Sequence, residues 1–351
     1  MAWSRVLGHD EAVVRLRESL ARGRLAHAYL FVGRRGVGKE LLARELAKAL
    51  QCRQPGPDPC DECPQCLKVE HDNHPDVAFV RLLEGSRGGT RRSQIVIDQV
   101  REEIQQPISY KPFEGKWKVF VVADAERMTE QAQNCLLKTL EEPPPRSVLV
   151  LLAERLEPFL PTVVSRCQVV RFRPLPSALV ERILVEGHGL EPERARVLAR
   201  LSEGSPGMAL AYENDGTYET ALWLVGELAG MAPGGEFAVA SELVDRSSQA
   251  GSRLEDTREW LRPILDLLTL AWRDVFLRAA GFPDDLLTWP EAEPLAAWAS
   301  ELKPSEARRL LERTLLAREH LDANANIKLL VEKLVLDIGA VLHRRAASAA
   351  R

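Results

Sequence analysis

The stretch Ala28-Tyr29-Leu30-Phe31-Val32-Gly33-Arg34-Arg35-Gly36-Val37-Gly38-Lys39-Glu40 decides the fold. Its first five residues read as a buried strand. A glycine-rich turn follows, and Leu42, Leu46 and Leu50 then recur at i, i+4 and i+8, the spacing of one helical face. Strand, glycine-rich turn ending in lysine, and helix is the order of a phosphate-binding loop. In such a loop the glycines let backbone N–H groups close around phosphate oxygens, the lysine meets the β and γ phosphates, and the next hydroxyl ligates Mg²⁺. Glu40 stands where that hydroxyl belongs, and its charged side chain is expected to face the phosphates. Gly33, Gly36, Gly38 and Lys39 either still hold a nucleotide, ATP or ADP, or form only a tight turn from strand to helix; both readings require the same fold.

The apolar run Trp117 to Ala123 ends in Asp124, the place for an aspartate that orients Mg²⁺. A hydrolysing site of this type then needs a glutamate to polarise the attacking water, whereas this chain has Ala125 and only then Glu126. Asp124 reads equally as a nucleotide contact or as an N-terminal helix cap.

Cys52, Cys60, Cys63 and Cys66 crowd a turn-rich segment, the last three in two overlapping C-x-x-C steps. Thiolates at that spacing can converge on one tetrahedral ion, and four of them form a closed, structural zinc site. Disulfides compete with this reading, but the chain shows no secretory segment, and Cys135 and Cys167 lie in apolar contexts suited to small buried side chains. His71 and His74 follow the cysteines closely; His74-Pro75-Asp76 reads as a turn into the strand Val77 to Val80 rather than as ligands.

A length of 351 residues implies two or three domains, and the formal charge of −4 argues against coating nucleic acid by charge alone. No apolar stretch is long enough to span a membrane, so a cytoplasmic protein is expected. Gly85 to Ser93, with Arg87, Arg91 and Arg92, reads as a solvated loop or a phosphate contact.

Strands near 28–32, 77–81, 117–123, 147–153 and 167–172 alternate with amphipathic helices, which predicts an α/β domain with a mainly parallel sheet. It spans residues 1–173, with the cysteine loop at 52–66. Pro174-Leu175-Pro176 breaks the chain, and a small helical subdomain fits 174–215. Residues 216–351 read as helical throughout, with Trp260, Leu261, Ile264, Leu265, Leu268 and Trp272 on one stripe and Ile327, Leu330, Val331, Leu334 and Ile338 on another.

Pro161 to Cys167 closes a short helix before the strand Gln168 to Phe172, so Arg166 projects from an element's end. An arginine there usually answers a helix dipole or a surface carboxylate. Its rigid fork of donors also suits a γ-phosphate held by a neighbouring subunit.

These residues carry a resemblance. Leu7-Gly8-His9, His27 to Phe31, the four-cysteine loop, His74-Pro75-Asp76, Ile97 to Arg101, Asn134-Cys135-Leu136-Leu137-Lys138-Thr139-Leu140-Glu141-Glu142-Pro143-Pro144 and Ser165-Arg166-Cys167 together resemble the clamp-loader subunits of bacterial DNA polymerase III, in the AAA+ superfamily. Within them the likeness is greatest to the delta-prime branch. The resemblance implies a AAA+ P-loop NTPase-like core with a parallel sheet, a small helical lid and an all-α C-terminal collar. It also implies assembly with tau/gamma and delta subunits, which together place the sliding clamp on primed DNA.

Glu40 for the hydroxyl, Ala125 for the water-polarising glutamate, Glu154 for a small polar sensor, and Gly204-Ser205-Pro206-Gly207-Met208 without a lid arginine all depart from an ATP-hydrolysing tau/gamma subunit. No long Pro-rich or basic stretch of the tau kind follows the last helix. The expectation is a stator without turnover of its own, a component of the DNA polymerase III holoenzyme, that supplies Arg166 in trans. The alternatives are an ATP-hydrolysing tau/gamma-type subunit and a zinc-loop nucleic-acid-binding module on a AAA+ scaffold.

Overall fold

The computed structural model describes residues 2–54, 56–82, 94–249, 254–289 and 292–343. The basic stretch at 85–93 lies outside the described residues. Packing divides the chain into two units, one of residues 1–180 with 204–208, the other of 181–203 with 209–351.

The first unit is built on five parallel strands, β1 (Ala28–Val32), β2 (Val77–Val80), β3 (Lys118–Val122), β4 (Ser147–Ala153) and β5 (Gln168–Arg171), in the order β2-β3-β4-β1-β5. All five fall where the apolar runs predict them. The central strands β1 and β4 are buried along their whole length, as expected when both faces of a parallel sheet are covered. At the edge, β5 leaves Gln168 and Arg171 exposed.

Residue alternation sends Ala28, Leu30 and Val32 into one core layer with Phe120, Val122, Leu149 and Leu151. That layer is closed by Ile104, Leu136, Leu140 and Val163 from the covering helices. On the other face Phe31 meets Phe172, with ring centroids 5.3 Å apart.

Among the described residues seven α-helices accompany the sheet: α1 (Asp10–Ala21), α2 (Lys39–Gln51), α3 (Pro64–Glu70), α4 (Ile97–Val100), α5 (Gln106–Ile108), α6 (Glu130–Glu141) and α7 (Pro161–Val164). Between α4 and α5, Arg101–Gln105 widens into π turns. Pro107 accounts for this locally, because it has no N–H to donate back to the preceding turn. Thr129 caps α6 by accepting the Ala132 N–H at 3.2 Å.

β1 lies between β4 and β5, and the chain leaves it to reach β2 at the far edge. The loop after β1 therefore sits at the carboxyl-end crevice where parallel α/β sheets hold ligands. This is the P-loop core arrangement of the AAA+ class.

Two helices, α8 (Ser177–Arg182) and α10 (Pro206–Asn214), begin in the first unit and end in the second, which is otherwise helical, with α9 (Pro192–Leu201), α11 (Thr217–Gly230), α12 (Glu236–Gln249), α13 (Leu254–Ala279), α14 (Glu293–Glu301), α15 (Pro304–Asp322) and α16 (Ile327–Leu342). Leu261, Ile264, Leu265, Leu268 and Trp272 of α13 and Ile327, Leu330, Val331, Leu334 and Ile338 of α16 are buried, as their spacing predicts, whereas Trp260 at the stripe's start is only half-buried. Trp272 packs on Trp298 at 4.7 Å between centroids. Asp274 accepts the backbone N–H groups of Thr288 and Trp289, both at 2.6 Å, tying the segment before α14 to α13.

Candidate functional site

The glycine-rich loop leaves β1 with Gly33 N donating to Ala153 O at 3.0 Å, which fixes it against the end of β4. A Cβ on Gly33 would lie 2.6 Å from the Phe172 carbonyl, so only glycine fits there. Gly36 has a φ of 71° and Gly38 one of 111°, the left-handed conformations that bring the loop into the first turn of α2. His9 donates Nε2–H to Val37 O at 2.9 Å and holds the loop from beneath.

Within this frame Lys39 turns inward. Its ammonium donates to the Gly33 carbonyl and, at 2.7 Å, to the Arg34 carbonyl, so the loop's own lysine occupies its concave side. Burial lowers its pKa, while Glu154, Glu126 and Asp124 hold it up. Asp124 thus belongs to the site's electrostatics. It has a φ of 46° and makes no capping bond to the short turn Ala125–Arg127, so the helix-cap reading fails.

Glu126 was legible in the sequence only as a displaced catalytic glutamate. In the structure its Oε1 accepts the Glu154 N–H at 3.2 Å, and burial raises its pKa. The carboxylate after β3 is thus engaged with the end of β4.

The expectation for Glu40 is corrected. Its Oε1 accepts from Arg81 at 2.5 Å and from Arg44 at 3.3 Å, so the side chain lies along the sheet edge at β2 and away from the phosphate cradle. Asp72 completes the group by accepting from Arg44 at 2.5 Å, and Arg44 stacks over the Phe79 ring at 4.2 Å. Glu40 opens α2 and Arg44 lies one turn on, so the carboxylate reaches that guanidinium more easily than the loop.

Sequence reasoning missed a long-range contact on the loop's outer side. Ser205 Oγ donates to Arg35 O at 2.6 Å, and Gly207 N donates to Gly36 O at 2.9 Å. A Cβ on Gly207 would stand 2.7 Å from Gly36 Cα. No local signal links residues 170 apart; the glycine pair could have been read only as a place where two backbones meet.

The four cysteines do converge. The sulfurs of Cys52, Cys60, Cys63 and Cys66 all lie within 4.8 Å of one another, with Cys60 and Cys66 at 4.0 Å. A tetrahedral ion with metal–sulfur bonds of about 2.3 Å needs separations near ~3.8 Å, whereas a disulfide needs about 2.0 Å. The group therefore fits a metal ion and not a disulfide, and all six cysteines are free.

The Cys63 N–H donates to Cys60 Sγ at 3.3 Å, which orients that sulfur within the cluster. Burial raises the Cys66 and Cys52 thiols, whereas at Cys63 burial is outweighed by backbone and thiol hydrogen bonds that bring it to about 6. His74 is not a ligand: its Nδ1 accepts the Asp76 N–H at 3.0 Å.

The metal loop is anchored by a buried cation that the sequence did not announce. Lys48 of α2 is 2% exposed and donates to Glu45 at 3.2 Å, to Asp61 at 3.1 Å and to Glu70. Asp61 lies inside the cysteine loop and Glu70 ends α3, so one ammonium joins three segments. Asp76 is a second anchor, accepting the N–H groups of Phe113, Glu114 and Gly115 at 2.7, 2.9 and 2.7 Å.

Arg166 follows α7 as predicted. One guanidinium nitrogen donates to Thr162 O at 3.0 Å and the other to Glu141 at 2.8 Å. The helix-end carbonyl and the surface carboxylate expected of an ordinary arginine are therefore both present, within its own chain.

A family model described as DNA polymerase III, delta subunit matches residues 8–176. DNA polymerase III subunit delta' of Bacillus subtilis is 29% identical over 330 residues, covering 92% of this chain and 93% of its own. The tau subunit of Escherichia coli is 36% identical over 207 residues, which cover 57% of this chain and 30% of that relative. A crystal structure of a gamma subunit-related protein from Thermotoga maritima is 19% identical, covering 93% of this chain and 99% of that one, with a TM-score of 0.39. The chain thus spans nearly the whole of the delta' relative but under a third of the tau relative. With the sheet order, the altered loop and the cysteine cluster in place, the chain is similar to the DNA polymerase III clamp-loader subunits and is delta'-like among them.

Proposed function

We propose that this chain is a non-hydrolysing stator of a clamp loader, working with tau/gamma and delta subunits to place a sliding clamp on primed DNA. The observation that carries this reading is Glu40, which stands where the Mg²⁺-binding hydroxyl belongs and is bonded to Arg81. A hydrolysing site needs a lysine on phosphate, a hydroxyl on Mg²⁺ and a carboxylate on the attacking water. Here the lysine is present as Lys39, but the other two are replaced by Glu40 and Ala125. ATP or ADP bound through Gly33, Gly36, Gly38, Lys39 and Asp124 would then be held without turnover.

In this reading residues 1–173 are the AAA+ core, 174–215 a lid and 216–351 a collar that joins the subunits, in the cytoplasm. The ion at Cys52, Cys60, Cys63 and Cys66 is zinc, because four thiolates in tetrahedral reach suit it and leave no open position for catalysis. Arg166 acts in trans, its guanidinium stabilising charge on the γ-phosphate of a tau/gamma neighbour.

Reconstitution with tau/gamma and delta partners tests the assignment. The isolated chain should show no ATP turnover above background. Arginine fingers supply about 10³ to 10⁵ in rate, but only one site of the assembly feels this one, so Arg166→Ala should lower bulk clamp-stimulated turnover by less. Multiple turnover by the chain alone, abolished by Lys39→Ala, would overturn the stator reading; an Arg166→Ala loader with unmodified turnover and loading would overturn the finger.

A further inference from the structure

We infer that Glu141 is the carboxylate on which Arg166 is parked, and that its hold must be broken before the arginine can serve a neighbouring nucleotide. This rests on the trans role of Arg166 proposed above.

Three features of the pair support it. First, the contact joins different elements: Glu141 is the last residue of α6, while Arg166 lies two residues beyond α7. With Nη2 on Glu141 at 2.8 Å and Nη1 on Thr162 O at 3.0 Å, both terminal nitrogens of the guanidinium are turned to its own chain. In this rotamer the fork of the two terminal nitrogens faces its own surface, and reaching an outside phosphate requires it to leave Glu141.

Second, Glu141 stands where a carboxylate is locally unfavourable. The C-terminal end of a helix carries partial negative charge and favours cations. Both Glu141 and Glu142 sit at that end of α6, and Arg166 supplies the compensating charge from outside the helix. The helix dipole gives no reason for a carboxylate at this position.

Third, the pair is partly exposed, with side-chain exposures of 35% for Arg166 and 51% for Glu141. It is therefore strong enough to choose a rotamer and weak enough to yield. A triphosphate offers more charge and a bidentate geometry that a single carboxylate oxygen does not, so it takes the guanidinium from Glu141 once within reach. In its absence the arginine stays on its own surface.

Release of Arg166 is thus a step that lowers the fraction of subunits ready to act, and removing the holder raises that fraction. An exposed pair of this class biases such an equilibrium by at most about fivefold.

The test is a loader reconstituted from full-length chains carrying Glu141→Gln, Arg166→Ala or both in this subunit, assayed for ATP turnover with and without clamp and primed DNA. Glu141→Gln should raise unstimulated turnover by about twofold to fivefold at the affected site. The rise should vanish in the double variant, which should match Arg166→Ala. A merely structural Glu141 would instead shift melting temperature and leave the unstimulated rate unchanged.

If Arg166→Ala lowers turnover while Glu141→Gln leaves it unmodified, the parking role is overturned and the finger stands. If Glu141→Gln lowers turnover as Arg166→Ala does, Glu141 aims the arginine instead of retaining it, which also overturns the inference. If Arg166→Ala has no effect, the finger fails and the parking role with it.

Discussion

Glu40 and Arg81 meet at 2.5 Å, so the residue that replaces the Mg²⁺-binding hydroxyl is bonded to the edge of the sheet and not aimed at the phosphate site. Restoring a hydroxyl therefore removes an ion pair without rebuilding a catalytic site. Glu40→Thr should change unfolding free energy by less than about 1 kcal/mol, because both partners are substantially exposed. ATP hydrolysis should stay at background, since Ala125 still lacks the carboxylate for water. Urea unfolding and a phosphate-release assay check both halves, and turnover in the Thr variant would show that the hydroxyl alone had been limiting.

The cysteine cluster should hold one zinc ion per chain in protein purified without chelator. Cys63→Ser, which removes one of the four converging sulfurs, should release the ion and loosen residues 52–70 while the sheet stays folded. Elemental analysis reads the first effect, and hydrogen exchange, with new fast amides confined to that segment, reads the second. Metal-free protein with unchanged protection across it would contradict a structural ion.

Lys48 is the test of how that loop is fastened. Lys48→Met keeps the apolar stem but leaves Glu45, which is fully buried, with only the half-exposed Arg5 at 3.3 Å as its cation, beside Glu70 and Asp61. Burial already pushes the Glu45 carboxyl up against the pull of Lys48. Loss of the cation should cost about 3 kcal/mol or more, the scale for breaking one side of a buried pair. A melting temperature equal to the unmodified protein's would show that the network is solvated.

Asp76 gives a pH dependence with a definite sign. Burial would raise its carboxyl, but three backbone N–H groups and Lys118 outweigh that and lower it. The unfolded carboxyl titrates near about 3.9. A group depressed on folding contributes stability above that value and loses it as pH falls through the lower, folded value. Asp76→Ala should destabilise by about 3 kcal/mol at neutral pH, since three donors lose their acceptor, and the difference from the unmodified protein should shrink below pH of about 3.9. Denaturation midpoints from neutral to strongly acidic pH measure this; a difference that stays constant would mean that Asp76 is not the group being titrated.

Periodicity in the chain itself was enough for the strands, the helical second half and the loop between β1 and α2. Apolar runs and the i, i+4 stripe of Leu42, Leu46 and Leu50 are local patterns, and burial follows from them. The cysteines were legible for a similar reason, because a C-x-x-C step confines two sulfurs to one turn whatever surrounds them.

The tertiary structure alone decided where charged side chains go. Glu40 faces Arg81 because β2 lies beside α2, Lys48 is buried because α3 and Asp61 close over it, and Ser205 reaches Arg35 across 170 residues of chain. A flexible side chain has several partners within reach, and the choice among them is made by what folding brings near and what it seals from water. Arg166 is the clearest case: its position was readable from Pro161 to Cys167, but its bond to Glu141 exists only because the ends of α6 and α7 are brought together.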